Sequence, residues 1–251
     1  MKKWNIKQRI DISDLDPDLI IKKLLSGKGI VTKKDIDLFF HPKHPTDLTC
    51  HDVGIDAKAL SIIVARLQQA IQKKESVVVY ADYDADGITA GAILWETLYK
   101  LGASVMPYIP HRQDEGYGFS TKGLDTIKQD YNPTLVISVD HGITAHDPIE
   151  YARQLGMEVI VTDHHLKPET VPNCPMLHTT QLSGAGVAFF LAKELLSSSN
   201  ELLPLAAIGT IADMVPLIGA NRSIAKYGLE AMQTTKRVGL IALMREAGVV
   251  Q

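Results

Sequence analysis

Residues 77–87 of the chain read VVVYADYDADG, an apolar run that leads directly into three aspartates spaced two apart. A short apolar run that ends at a turn signal is typical of a buried β-strand. A helical pattern follows over about residues 88–101. The stretch therefore predicts a strand, a carboxylate-rich turn and a helix, which together form the repeating unit of an open α/β sheet.

The alternation of strand and helix continues along the chain. Further apolar runs predict strands over 105–109, 135–137, 159–161 and 176–177, and helical patterns lie between them at 121–129 and 147–155. Strands that are apolar throughout and separated by amphipathic helices are typical of a parallel sheet covered on both faces. The predicted fold class is therefore α/β, a doubly wound and mainly parallel sheet flanked by helices.

The same pattern divides the chain into three predicted regions. Residues 1–55 are interrupted by prolines and are expected to form an irregular, partly helical N-terminal arm. Residues 56–220 contain the regular α/β pattern and form the predicted main domain. Residues 221–251 are expected to be a C-terminal helical segment that starts a connection to an absent second domain.

Composition is that of a soluble globular protein, with 45% hydrophobic and 22% charged residues in 251. No apolar run approaches the roughly 18 residues of a membrane span, and the basic N-terminus lacks the apolar segment of a secretory signal. Cys50 and Cys174 do not have metal-type spacing. We therefore expect a reduced, cytoplasmic protein without membrane attachment.

Net charge is −3, but the charge is unevenly distributed. Residues 1–45 carry ten Lys/Arg against six Asp, a local charge of +4. Much of the acidity elsewhere lies in a group of aspartates at the predicted strand ends. The negative total therefore does not exclude a nucleic-acid partner.

Carboxylates and imidazoles follow three of the predicted strands. In a parallel sheet the C-terminal ends of the strands lie along one edge, which is where such folds bind ligands. The side chains expected to converge there are Asp82, Asp84, Asp86, Asp140, His141, Asp163, His164 and His165.

Two explanations of these aspartates differ in their chemistry. An aspartate at a strand end is often a turn residue or a helix N-cap, and Asp82 alone is compatible with either. Several carboxylates in one cleft, however, raise each other's pKa unless cations neutralise them. Three clusters at one edge therefore favour divalent metals, and carboxylates with one or two imidazoles suit Mn²⁺ or Mg²⁺.

A nucleotide-binding loop is the natural competitor for this architecture. No glycine-rich loop follows the first strand, and the later stretch at 183–186, SGAG, lacks the lysine of a P-loop. The amides of Gly184 and Gly186 are candidates for phosphate contacts, or the turn merely starts a helix.

Four segments, in order, resemble the motifs of the DHH phosphoesterase superfamily: DYDADGITA (82–90), VDHGI (139–143), TDHH (162–165) and GTIADMVPL (209–217). Two more, PHRQDEGYG (110–118) and SGAGVAFFLAKEL (183–195), are similar to the RecJ-like exonucleases of that superfamily. The resemblance covers roughly residues 75–240.

The resemblance implies a role for each matching residue. It implies two ions, with Asp140 as the bridge, held by Asp84, Asp86, Asp140, His164 and Asp213. Asp163 would orient the metal-site imidazole, and His165 would contact the phosphate or the leaving oxygen. Arg112 is either a contact to the nucleic-acid backbone or a solvated loop residue. Many members have a histidine where this chain has Tyr80. The absence of that histidine would weaken the binding of one ion, or leave Asp82 to compensate for it.

The function implied is a metal-dependent, 5′-to-3′ exonuclease acting on single-stranded DNA in repair and recombination, with repair or replication proteins as partners. Two alternatives remain open: a phosphodiesterase for short oligonucleotides or cyclic dinucleotides, and a non-catalytic RecJ-like scaffold. All motif carboxylates are intact, which favours an enzyme.

Overall fold

The computed structural model describes residues 16–116 and 118–249. The first fifteen residues of the predicted arm, Tyr117 of the 110–118 motif and the last two residues lie outside this description. The chain divides into two compact units, Met1–Lys43 and His44–Gln251. The larger unit therefore begins within the predicted arm and also includes the predicted C-terminal segment.

The described part of the smaller unit consists of two short helices, α1 (Pro17–Ser26) and α2 (Lys33–Phe40). Each begins at a polar cap. The side chain of Asp16 accepts a hydrogen bond from the amide of Asp18, and Thr32 accepts one from the amide of Asp35. Both elements lie in the segment for which a partly helical arm is predicted.

The larger unit is built on five parallel strands, in the order β2-β1-β3-β4-β5. Their bounds are β1 (Ser76–Ala81), β2 (Ser104–Tyr108), β3 (Leu135–Val139), β4 (Glu158–Asp163) and β5 (Met176–His178). The predicted parallel, doubly wound sheet is confirmed.

Ten helices surround the sheet in the described part of this unit. They are α3 (Cys50–Val53), α4 (Ala57–Lys73), α5 (Ala85–Lys100), α6 (Arg112–Glu115), α7 (Thr121–Tyr131), α8 (His146–Gln154), α9 (Gly184–Leu195), α10 (Leu203–Ala212), α11 (Gly219–Met232) and α12 (Val238–Glu246). Single 3₁₀ turns lie at Pro45–Asp47 and Asn200–Leu202. None of the helices that the structure describes has the length and apolarity needed to cross a membrane.

The strands bury side chains on both faces. Val77 and Val79 of β1 belong to one apolar core, which also contains buried residues of α4, α5, α9 and α10. Val78 and Tyr80 belong to a second core with residues of α7 and α8. Alternate residues of one strand therefore pack against helices on opposite sides, which explains why these strands are apolar throughout.

The strand order changes direction at β1, which has β2 on one side and β3 on the other. The connection from β1 (α5) packs on one face of the sheet and the connection from β3 (α8) packs on the other, so a crevice opens between the C-terminal ends of these two strands. Such a switch point is the usual ligand site of an open α/β sheet. The aspartate-rich turn after β1 lies at this crevice.

Candidate metal centre

The sheet register brings three strand-end aspartates to one level. Ala81 of β1 pairs with Val139 of β3, and Val139 pairs with Thr162 of β4. The next residue in each strand is an aspartate, giving a row of Asp82, Asp140 and Asp163 along the edge of the sheet. All three are almost fully buried.

His164 lies among carboxylates from three different segments. Its Nε2 atom is 3.1 Å from Asp140 Oδ1, 3.7 Å from Asp213 Oδ2 and 3.8 Å from Asp86 Oδ2. Asp213 comes from the end of α10 and Asp86 from the first turn of α5. The four motifs that the sequence singled out therefore meet around one imidazole.

Three overlapping groups of side chains are close enough to hold metal ions. Within each group, the ligand atoms lie within 4.8 Å of one another. The groups are Asp140 with His164 and His165, Asp86 with His164 and Asp213, and Asp82 with Asp84 and Asp140. Asp140 and His164 each belong to two groups. A shared carboxylate between two neighbouring groups is the arrangement that a pair of ions requires.

Asp140 carries the strongest sign that a cation belongs here. Burial, together with the nearby carboxylate of Asp86, raises the pKa of Asp140 to about 7 against the opposing effect of His164. Asp140 Oδ1 and His164 Nε2 are both buried, and although they lie close together, neither makes a well-aligned hydrogen bond. Buried polar atoms are normally hydrogen-bonded or bound to a metal. These donors fit divalent cations that prefer oxygen and imidazole ligands.

Asp86 is held by the start of α9. Its two carboxylate oxygens accept hydrogen bonds from the amides of Gly184 (2.6 Å) and Ala185 (2.8 Å). The amide of Gly186 donates to Ser183 Oγ at 3.1 Å. The amides of Gly184 and Gly186 thus have partners within the protein, which favours the interpretation in which this turn starts a helix.

Asp163 holds the second histidine of the DHH triplet rather than the first. Its Oδ1 atom accepts a hydrogen bond from His165 Nδ1 at 2.8 Å and others from the amides of His164 and His165, and its Oδ2 accepts one from the amide of Ile143. Burial opposes ionisation, but these hydrogen bonds lower the pKa of Asp163 to about 2. The hydrogen bond with Asp163 raises the pKa of His165 to about 9. The imidazole that Asp163 orients is therefore that of His165.

Tyr80 belongs to none of the metal-capable groups among the described residues. Its ring packs against Tyr108, Phe119 and His141, with centroids 4.9, 4.9 and 5.4 Å apart, and burial raises its pKa to about 12. Asp82, two residues further on, is the residue of this segment that joins a metal-capable group. The geometry favours the interpretation in which Asp82 compensates for the missing histidine.

Arg112 lies at the mouth of the site in the short helix α6. Its guanidinium carbon is 5.0 Å from the centroid of the Tyr83 ring, a cation–π contact. Burial raises the pKa of Asp82, and the positive charge of Arg112 is one of the effects that oppose this shift. Its exposed side chain is therefore close enough to the carboxylates to meet an anion bound there.

Two residues of this region have contacts that the sequence pattern does not predict. The sequence places Tyr83 only in the turn, yet its ring contacts Arg112. His141 is buried beneath the site, where its Nε2 atom lies 3.1 Å from the carbonyl oxygen of Tyr80 and burial lowers its pKa to about 4. The sequence signal for His141 is its place beside Asp140, which is equally typical of a metal ligand.

Comparison with known proteins defines the class. The model of the DHH family, N-terminal domain, matches residues 76–210. The chain therefore belongs to the DHH family. The matched segment includes β1 through most of α10, and with it every strand of the sheet.

Within that family the chain is similar to the single-stranded-DNA-specific exonuclease RecJ. It is 40% identical over 240 residues to RecJ of Bacillus subtilis (strain 168), covering 91% of this chain and 30% of that protein. It is 40% identical over 204 residues to RecJ of Thermus thermophilus, covering 76% of this chain and 30% of the relative. The chain thus spans about a third of the length of these curated relatives.

Solved structures agree with this assignment. A crystal structure of exonuclease RecJ bound to manganese superposes with a TM-score of 0.70 at 39% identity, covering 76% of this chain and 52% of that one. RecJ of Thermus thermophilus in complex with Mn²⁺ superposes with a TM-score of 0.72 at 33% identity, covering 89% of this chain and 33% of that one.

Proposed function

We propose that the chain is a two-metal phosphodiesterase that hydrolyses single-stranded DNA in the 5′-to-3′ direction. The observation that carries the proposal is Asp140, which lies at the switch point of the sheet and is shared by two metal-capable groups. The names of the relatives support the substrate, because the proteins similar to this chain are single-stranded-DNA-specific exonucleases.

The donor set supports Mn²⁺ or Mg²⁺. Oxygen donors outnumber imidazoles, and the clusters that the structure describes contain no thiolate. We assign the ions to Asp82, Asp84, Asp86, Asp140, His164 and Asp213. Two such ions, when bound, stabilise the charge that develops on the phosphate and make water a better nucleophile near neutral pH.

The protein's own groups organise the remaining chemistry. The start of α9 fixes Asp86, and Asp163 fixes the ring of His165 through its Nδ1 atom. This hydrogen bond holds the His165 ring beside Asp140, where it would contact a phosphate oxygen or an ion. Arg112, braced by Tyr83, supplies a positive charge for the substrate backbone.

Removal of the shared carboxylate tests the metal centre. Asp140→Ala should abolish tight Mn²⁺ binding in titration calorimetry, because Asp82 and Asp84 lose the third member of their group and His164 loses its nearest carboxylate. Asp130→Ala is the matched control, since it removes an exposed carboxylate from the last turn of α7. Unchanged two-site Mn²⁺ binding in Asp140→Ala would refute the shared-ligand assignment.

A nuclease assay tests the substrate. The parent chain with Mn²⁺ should release nucleotides from a 5′-labelled single strand and leave the matching duplex largely intact. Preferential cleavage of dinucleotides or cyclic dinucleotides would favour the oligonucleotide alternative instead. Mn²⁺ binding without hydrolysis of any of these substrates would favour the scaffold alternative.

A further inference from the structure

Met214 has a backbone conformation that its residue type disfavours. It ends helix α10 with its amide hydrogen-bonded to the carbonyl of Ile211 and a φ of 59°. Glycine is the usual residue at such a left-handed helix end, because other residues are strained there. Among the described residues only Lys74, Asn132, Asp140 and Met214 have positive φ without being glycine. Lys74 and Asn132 are exposed polar helix ends, and Asp140 is part of the candidate metal centre.

The side chain of Met214 does not stabilise the unit in an obvious way. It is 87% exposed, so it covers little of the apolar core. Two further apolar side chains nearby in the fold are also exposed, Ile211 in the last turn of α10 and Ile88 in the first turn of α5. Neither folding stability nor helix termination therefore accounts for a methionine at this position.

The location of Met214 connects it to the candidate metal centre. It directly follows Asp213, whose carboxylate lies 3.7 Å from His164 Nε2. The two helices that carry the exposed apolar residues meet at the same site: a Cβ added at Gly209 of α10 would collide with Asp86 and Thr89 of α5. Met214, Ile211 and Ile88 are thus exposed apolar residues that lie within two positions of Asp213 or Asp86 in the chain, and both of these aspartates belong to the candidate metal centre.

We infer that Met214 contacts the nucleobase of the nucleotide whose phosphate is bound at the carboxylate and histidine cluster. The inference rests on the proposed function. A nucleobase is joined to its phosphate through a single sugar, so a base must lie beside any phosphate bound there. Its face is aromatic, and a polarisable thioether makes favourable contacts with aromatic rings. Such a contact does not depend on the identity of the base, as a sequence-independent nuclease requires.

Binding of matched strands tests this role. The full chain is tested with a short single strand and with the same strand carrying abasic 5′ nucleotides. Binding is measured by fluorescence anisotropy in Ca²⁺, and kcat/KM is measured in Mn²⁺. On the normal strand, Met214→Gly should weaken binding and lower kcat/KM about fivefold, which is the size expected for one such contact. On the abasic strand, it should change neither quantity. Met214→Leu should recover most of the loss.

Stability measurements separate this role from a structural one. Met214→Gly should unfold at the same temperature as the parent or slightly higher, because glycine relieves the left-handed strain. Lys74→Gly, at the left-handed end of α4 on the opposite edge of the sheet, is the matched control and should bind both strands as the parent does.

Equal losses on both strands, or no loss on either, would overturn the inference. Failure of the parent itself to bind or hydrolyse either strand would instead refute the proposed function, and the inference with it.

Discussion

At the scale of single residues, the centre depends on two unusual positions. Asp140 has a left-handed backbone, with a φ of 67°, and a buried carboxylate. Aspartate tolerates this conformation better than most residues, and strain of this kind is found mainly at functional sites. Gly184 lies directly against it, since a Cβ at that position would overlap Asp140 Oδ1. The close approach of α9 to the carboxylate therefore requires glycine.

Gly184→Ala should impair metal binding more than folding. The added methyl group must displace the carboxylate of Asp140 or the start of α9, which also holds Asp86. We expect Mn²⁺ affinity to fall at least tenfold, about 1.4 kcal/mol. Gly186→Ala is the control, because its Cβ would meet Leu182 at 3.1 Å without touching a carboxylate. Equal Mn²⁺ affinity of the two variants in calorimetry would contradict this account.

The two neighbouring histidines should respond differently to substitution. His164 lies between Asp86, Asp140 and Asp213, so His164→Ala should lower Mn²⁺ affinity. His165 is tied to Asp163 and half exposed, so His165→Ala should mainly lower kcat at saturating Mn²⁺. Calorimetry and initial rates over a range of Mn²⁺ concentrations distinguish the two. A loss of Mn²⁺ affinity in His165→Ala as large as that in His164→Ala would make His165 a ligand.

At the scale of elements, the sequence predicted the sheet better than the contacts between distant segments. Apolar runs mark the strands because both faces are buried, and the predicted strand bounds differ from the observed ones by at most two residues. Helix α6 has only four residues and therefore no periodicity to detect. The bond between Gly184 and Asp86 joins residues 98 apart in sequence, and no local pattern reports such a pairing.

At the N-terminal ends of the strands, opposite the candidate metal centre, an ion-pair network between elements should respond to pH. Arg66 of α4 contacts Glu75, just before β1, at 2.7 Å and Glu158, at the start of β4, at 2.8 Å. The hydrogen bond from Arg66 lowers the pKa of Glu75 below its ordinary 4.5, against a smaller opposing effect of burial. A lowered carboxyl pKa stabilises the fold above the unfolded-state pKa, and this contribution is lost as the pH falls through the folded-state value.

Glu75→Gln should therefore lower the free energy of unfolding by about 0.5–1 kcal/mol near neutral pH, as expected for a partly screened ion pair. The difference from the parent should shrink below about pH 4.5. Urea unfolding at several pH values measures it. Glu150→Gln, which removes the more exposed ion pair with Arg153 in α8, should lower the free energy of unfolding at neutral pH by less than Glu75→Gln does. A pH-independent cost of Glu75→Gln would assign the effect to packing.

At the scale of the whole molecule, the charge distribution sets how a nucleic acid would be held. The chain carries a net charge of −3 and only 6% aromatic residues. Two bound divalent ions would add four positive charges at the site, which offsets that total locally. Sequence-independent binding of single strands usually needs a basic groove with stacking side chains, so few phosphate contacts are expected near the centre. Among the described residues, Arg112 is the candidate that the geometry favours.

The salt dependence of strand binding measures how many phosphates the protein contacts. For single strands, a plot of the logarithm of the binding constant against the logarithm of the salt concentration has a slope of about −0.7 for each neutralised phosphate. If Arg112 binds one phosphate, Arg112→Gln should weaken binding of a short strand and reduce this slope by about 0.7. Anisotropy titrations between about 0.05 and 0.2 M salt cover the useful range. Lys128→Gln, in the last turn of α7 at the opposite edge of the sheet, makes the same change of charge and should leave the slope unaltered. The same slope in Arg112→Gln as in the parent would show that Arg112 does not bind a phosphate of the strand.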